Sequence, residues 1–262
     1  MKPSLEVLFT PADFSALSNR DLSETVCVVF DVLRATSSMV TALANGATAI
    51  IPVAEIPEAL ALRQHDPELL LAGERDGLRI QGELTGGVSF DLGNSPREFT
   101  EQRVQGRRIA MTTTNGTRAL RACDNAKKVL VASFLNIDAT IELLKQPDTK
   151  QLLVVCSGTF EQAAYEDALA AGALCEAVWP SFKNGEIADS ALIARELYQI
   201  AHSDLLAALS RSRNGHRLLE RPELRDDVPF CAQRGFYNLT AELGKDAHVR
   251  RSIDHGSSTR IR

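Results

Sequence analysis

The sequence predicts an α/β protein, a three-layer α/β/α arrangement with a mainly parallel sheet and a more helical C-terminal part. Short apolar runs of strand length alternate with segments whose apolar residues recur at helical spacing, the pattern of right-handed βαβ units. Runs such as Val26-Cys27-Val28-Val29-Phe30 are apolar throughout, as strands covered on both faces are. No Pro/Ser-rich linker interrupts the chain, so a single compact unit over 1–262 is expected. Two subdomains, about 1–150 and 151–250, are the alternative.

Taken in order, the strand Val26–Phe30 precedes a helix over Thr36 to Asn45, with Met39, Val40, Leu43, Ala44 and Ala47 at helical spacing. A strand over Ala49–Val53, a helix over Pro57–Arg63 and a strand over Leu69–Ala72 follow. From Gly73 to Pro96 the pattern breaks into a glycine-rich loop. Strand Arg108–Met111 leads to helix Thr117–Cys123, strand Val129–Ala132 to helix Asp138–Leu144, and strand Leu152–Cys156 to a helix carrying Ala164, Ala168, Ala171, Cys175 and Val178 on one face. Beyond Trp179 the chain reads as mostly helical (Ala188–His202, Leu205–Ser210), and its charged end, HGSSTRIR, reads as a frayed terminus.

With 262 residues, 44% of them hydrophobic and 24% charged, the chain can bury a sizeable core. A net charge of −5 argues against a nucleic-acid partner, whose phosphates need a basic face, but leaves a small anionic ligand open. The five scattered cysteines form no CxxC pair and read as reduced thiols. No signal peptide and no apolar stretch of about 20 residues is present, so a cytoplasmic protein without a membrane partner is expected. A homodimer is the default oligomer.

Ligands of open α/β sheets bind beyond the carboxyl ends of the strands. There the sequence places Asp31 and Arg34, then Glu74 and Arg75, then Thr114-Asn115-Gly116-Thr117, then Ser133 and Asn136, then Ser157, Glu166 and Asp167. Ser, Thr, Asn and Asp at such places serve helix caps in any protein. Asp31, Arg34, Glu74 and Arg75 fit that role poorly, because buried charges need a partner. Asn115-Gly116 permits a tight turn into a helix whose first N–H groups suit an anion, with the Thr114 and Thr117 hydroxyls as further donors. Asp31, Glu74 and Asp167 form an all-oxygen set that selects a hard ion such as Mg²⁺. Cation, arginines and helix start together suit phosphoryl transfer.

Common phosphoryl-transfer motifs are absent. There is no GxxxxGK[ST] loop, Leu33 stands where a DxD motif needs its second Asp, and Gln162 stands where a Cys-dependent phosphatase needs Arg after Cys156. The same anion site would serve a non-catalytic binder of phosphorylated metabolites.

The blocks Val29-Phe30-Asp31-Val32-Leu33-Arg34-Ala35-Thr36-Ser37, Gly73-Glu74-Arg75, Gly93-Asn94-Ser95-Pro96, Thr114-Asn115-Gly116-Thr117, Ser133-Phe134-Leu135-Asn136 and Glu166-Asp167 with Ala170-Ala171-Gly172 resemble, in this order, the 2-phosphosulfolactate phosphatase family. The resemblance implies a three-layer α/β/α fold. It also implies a Mg²⁺-dependent phosphatase that converts 2-phospho-3-sulfolactate to 3-sulfolactate and phosphate, in archaea a step toward coenzyme M. On that reading Asp31, Glu74 and Asp167 hold the metal, and Asp31, Arg34 and Asp167 are catalytic. Arg75, Asn94, Ser95, Thr114, Asn115, Gly116, Thr117 and Asn136 contact the substrate, and either water or the Asp31 carboxylate attacks. Extra residues at 83–88 and an atypical segment over 235–251 depart from the family pattern. They leave another phosphorylated 2-hydroxycarboxylate open as the substrate.

Overall fold

In the computed structural model, which describes residues 2–146 and 148–252, the apolar runs assemble into an eleven-stranded sheet. The strands are β1 (Ser4–Leu8), β2 (Thr25–Phe30), β3 (Ala49–Pro52), β4 (Leu70–Arg75), β5 (Leu78–Arg79), β6 (Arg108–Thr112), β7 (Lys128–Ala132), β8 (Gln151–Cys156), β9 (Glu186–Ile187), β10 (Ala241–Leu243) and β11 (Val249–Arg251). Their order across the sheet is β5-β4-β6-β3-β11-β10-β7-β2-β8-β1-β9. The β2–β7, β2–β8, β1–β8, β1–β9, β3–β6 and β4–β6 pairings are parallel. The β10–β11, β7–β10, β3–β11 and β4–β5 pairings are antiparallel.

The helices are α1 (Pro11–Ser15), α2 (Ala35–Ala44), α3 (Ile56–His65), α4 (Gly82–Thr85), α5 (Glu101–Val104), α6 (Gly116–Ala122), α7 (Ile137–Leu144), α8 (Tyr165–Phe182), α9 (Asp189–Ala201), α10 (Leu205–Arg211), α11 (Arg213–Leu219) and α12 (Asp227–Cys231). They cover both faces of the sheet. Successive residues of β2 point to opposite sides. Val26, Val28 and Phe30 enter a core with α7, α8 and α9, while Cys27 and Val29 enter a second core with α2 and α6. All six β2 residues are buried, which is why this strand lacks apolar–polar alternation. The three-layer α/β/α expectation therefore holds. Gly172 lets α8 approach α9 closely, since a Cβ there would lie 2.0 Å from the Ala194 carbonyl oxygen.

Several elements differ from the sequence reading. The N-terminal segment contributes β1, whose five residues give a weak pattern by themselves but pair in full with β8. β4 runs on to Arg75, so Glu74 and Arg75 belong to a strand rather than to a loop, and the glycine-rich stretch after them contains β5 and α4. The charged segment 235–251 carries β10 and β11, an antiparallel hairpin that sits inside the sheet, bridging β7 to β3. HGSSTRIR lies outside the described residues.

Candidate active site

The carboxyl ends of β2, β4 and β6 open on a cavity of about 90 Å³, walled on its far side by the turn after β8 and by α11. Asp31 follows β2 directly. Its Oδ1 accepts the Ala35 N–H at 3.1 Å, at the start of α2. A Cβ on Gly116 would lie 2.6 Å from Asp31 Oδ2 and 2.7 Å from the Ala35 Cβ, so only glycine allows the first turn of α6 to close on this carboxylate. Burial pushes the Asp31 carboxyl up to about 6, against the Ala35 N–H and Ser157 hydroxyl that favour its anion, and the Glu74 and Glu166 charges add to the rise.

Glu74, at the end of β4, is held from two sides. Its Oε1 accepts both the amide and the hydroxyl of Thr114 at 2.9 Å, and its Oε2 accepts the Gly77 amide at 2.7 Å. The parallel register of β4 against β6, with Gly73 opposite Thr112, sets these contacts. Asp167, in the first turn of α8, is 2% exposed and does not line the cavity. Its Oδ1 accepts the Val32 N–H at 2.8 Å, and its Oδ2 accepts the Ser157 hydroxyl and Gly158 amide, each at 3.2 Å. Burial first, then the Asp31 and Glu166 charges, raise its carboxyl well above the usual range.

The expected clamp of three carboxylates on one ion is not formed. Among the described residues, no three His, Cys, Asp or Glu side chains are gathered closely enough to hold a metal. The physical reason is that Glu74 and Asp167 are each tied to backbone amides, Glu74 to those of Gly77 and of Thr114 after β6, Asp167 to those of Val32 after β2 and Gly158 after β8. Asp31 and Glu74 face the cavity, and Asp167 stands behind Asp31, braced by Ser157.

The other expected contacts divide in the same way. Asn94 and Asn115 line the cavity, and the Asn115 side chain caps no helix. Asn94 Oδ1 and Thr113 Oγ1 are buried and make no hydrogen bond among the described residues. Arg34 lines the cavity but is neutralised, with Nη1 2.8 Å from Asp227 Oδ2 and Nη2 donating to the Gly77 carbonyl at 2.7 Å. The Leu33–Arg34 peptide is cis. Ser95 donates to Asp227 Oδ1 at 2.6 Å and faces an adjoining groove, as does Arg75. The Arg75 guanidinium is bound to the Glu74 carbonyl and the Thr112 hydroxyl. Thr114 is engaged by Glu74, and the Thr117 hydroxyl donates to the Thr113 carbonyl at 3.3 Å.

Asn136 lies away from the cavity. Its side chain caps the Ser133 amide and donates to the Val131 and Leu239 carbonyls, so it seals β7 to the C-terminal segment rather than meeting a ligand. The far wall adds residues outside the expected set, with Asn214, Arg217 and Arg221 lining the cavity. Asn214 donates to Glu166 Oε1 at 2.6 Å, while Glu166 Oε2 is buried and unbonded among the described residues. A usable signal was present, because Arg213, Arg217 and Arg221 recur every fourth residue, the spacing of one helix face.

Fold and site define an α/β enzyme with a small-ligand cavity at the carboxyl edge of its sheet. A family model described as 2-phosphosulpholactate phosphatase matches residues 13–246. The chain belongs to the 2-phosphosulpholactate phosphatase family, and with it to the phosphoric monoester hydrolases. A protein of Pseudothermotoga lettingae named "Probable 2-phosphosulfolactate phosphatase" is 38% identical over 249 residues, covering 95% of this chain and 99% of its own length. Proteins with the same name from Symbiobacterium thermophilum and Caldicellulosiruptor saccharolyticus are 40% and 34% identical. They cover 82% and 90% of this chain, and 89% and 96% of their own lengths.

Proposed function

We propose that this protein hydrolyses the phosphate ester of 2-phospho-3-sulfolactate, releasing 3-sulfolactate and phosphate, with Mg²⁺ as its cofactor. Family membership supports the reaction, and the observation that carries it to named residues is the Asp31 carboxylate. That group sits at the carboxyl edge of the sheet with its pKa raised to about 6, where it exchanges a proton under mild conditions. The first turn of α6 closes on its Oδ2, where a Cβ on Gly116 would lie 2.6 Å away, and its Oδ1 is bonded to an N–H, so a phosphoryl group carried on this carboxylate would crowd that turn. Asp31 therefore takes the proton from an attacking water. Asp167, through Ser157, orients it.

The oxygens present fit a hard cation. Mg²⁺ characteristically takes one or two carboxylates and keeps several waters. The Glu74 carboxylate and the unpaired Asn94 Oδ1 would hold it, with Asp31 beside them. When bound, the ion supplies charge neutralisation for the transferring phosphoryl group. Asn115 and the first turn of α6 face the same space and orient the ester.

A single turnover of 2-phospho-3-sulfolactate in ¹⁸O-labelled water, with Mg²⁺ and after chelation, tests the reading. Label is expected in the released phosphate, and release should stop on chelation and return with Mg²⁺. Phosphate caught covalently on Asp31, read as reduction of that residue by borohydride after a quench, overturns its role as base, undiminished release after chelation overturns the cofactor, and no phosphate release overturns the reaction.

A further inference from the structure

The far wall of the cavity carries two arginines that the hydrolytic chemistry leaves without a task. Arg221 Nη1 is buried, yet makes no hydrogen bond among the described residues, and the side chain forms no ion pair there. Among the described residues Arg217 likewise has no carboxylate partner, and its guanidinium rests over the Phe160 ring, 5.3 Å from the centroid. Arg34 nearby is the contrast, since its charge is cancelled by Asp227 with both side chains at most 3% exposed. Leaving a charged donor buried and unpaired costs more than leaving a neutral one so. A guanidinium kept in that state at a cavity wall is suited to an anion that arrives with the ligand.

The two ends of the cavity meet across one residue. The Gly77 amide donates to Glu74 Oε2 at 2.7 Å, and its carbonyl accepts from Arg34 Nη2 at 2.7 Å. A Cβ on Gly77 would lie 3.8 Å from Arg221 Nη1 and 3.8 Å from Arg34 Nη2. Acidic Asp31 and Glu74 and uncompensated Arg221 thus line one cavity, with Gly77 bonded to Glu74 and close to Arg221. A ligand of a few carbons, with its phosphate ester at the first end and a second acidic group at the other, matches that charge order.

We propose that Arg221, with Arg217 at the rim, forms a specificity subsite for a non-reacting carboxylate or sulfonate of the substrate. The proposal rests on the phosphatase reading for the placement of the phosphate. It adds that the enzyme selects phosphorylated acids over simple monoesters by pairing this second anion. The planar guanidinium fork grips two oxygens of such a group, which Lys, as a point charge, would do less well.

The test uses the full chain and two ligands separately, 3-sulfolactate and inorganic phosphate, titrated calorimetrically into wild type, Arg221→Gln, Arg221→Lys and Arg217→Gln. Arg221→Gln is expected to weaken 3-sulfolactate about 10- to 100-fold more than it weakens phosphate, with Arg221→Lys recovering part of the loss and Arg217→Gln losing less. In turnover, the KM for 2-phospho-3-sulfolactate should rise much more than kcat falls. Equal weakening of both ligands, a loss confined to phosphate, no change in either, or wild type that does not bind 3-sulfolactate overturns the subsite. Binding needs no catalysis. A wild type that binds 3-sulfolactate through Arg221 yet releases no phosphate overturns the phosphatase reading and upholds the subsite.

Discussion

Asp31 joins a raised pKa to a confined geometry, and the two have one cause. The residue is placed where burial disfavours its charge and where Glu74 and Glu166 add repulsion. A carboxyl raised from 3.8 to about 6 keeps its proton in the folded state after the unfolded chain has lost it. Stability without added divalent ion therefore falls as pH rises through that window, by no more than about 3 kcal/mol. Asp31→Asn cannot ionise, so its stability between pH 4 and 6 should be flatter than that of wild type. Urea unfolding across that range checks this, and parallel profiles for the two proteins would contradict it. At this scale the sequence was informative where charge stood at a strand end, as with Asp31 and Glu74. It was ambiguous at Asn136 and Thr117, whose side chains bond the backbone, because a cap and a ligand contact use the same side chains.

The elements matter through the distances at which they meet. α6 reaches β2 because Gly116 lacks a side chain at its first position. Gly116→Ala forces a methyl to within 2.6 Å of Asp31 Oδ2, so either α6 or the carboxylate must move. The expected cost is about 1–3 kcal/mol in stability and about 100-fold in kcat, read by thermal melts and steady-state turnover. A variant with wild-type turnover would show that the contact can relax without disturbing Asp31. The alternation of strand and helix was legible, and most elements lie within a residue or two of their expected bounds. What escaped were short elements, among them β1, β5, β9, β10 and β11, none longer than five residues. Such pieces are defined by partners distant in sequence rather than by their own pattern.

Across the whole molecule, the sheet comprises two parallel blocks, β4-β6-β3 and β7-β2-β8-β1-β9, joined by the antiparallel β10–β11 hairpin. β2 and β6 have four strands between them in that order, yet Asp31 after one touches the first turn of the helix after the other. The sheet must curl for those ends to meet, and nothing in the strand pattern announces strand order. Val249, fully buried and registered on Ile50, holds the seam between hairpin and β3. Val249→Asp buries a charge there and should lower unfolding free energy by more than about 3 kcal/mol, measured by denaturant titration. A midpoint equal to that of wild type would mean that the two blocks hold together without the seam. Because the hairpin belongs to residues 241–251, a ribosome must translate the whole of the matched family region, which ends at 246, before the middle of the sheet can be filled. The nascent protein therefore waits with two half-sheets exposed along facing edges. Unpaired edges of that kind are open to pairing with other chains until the hairpin arrives.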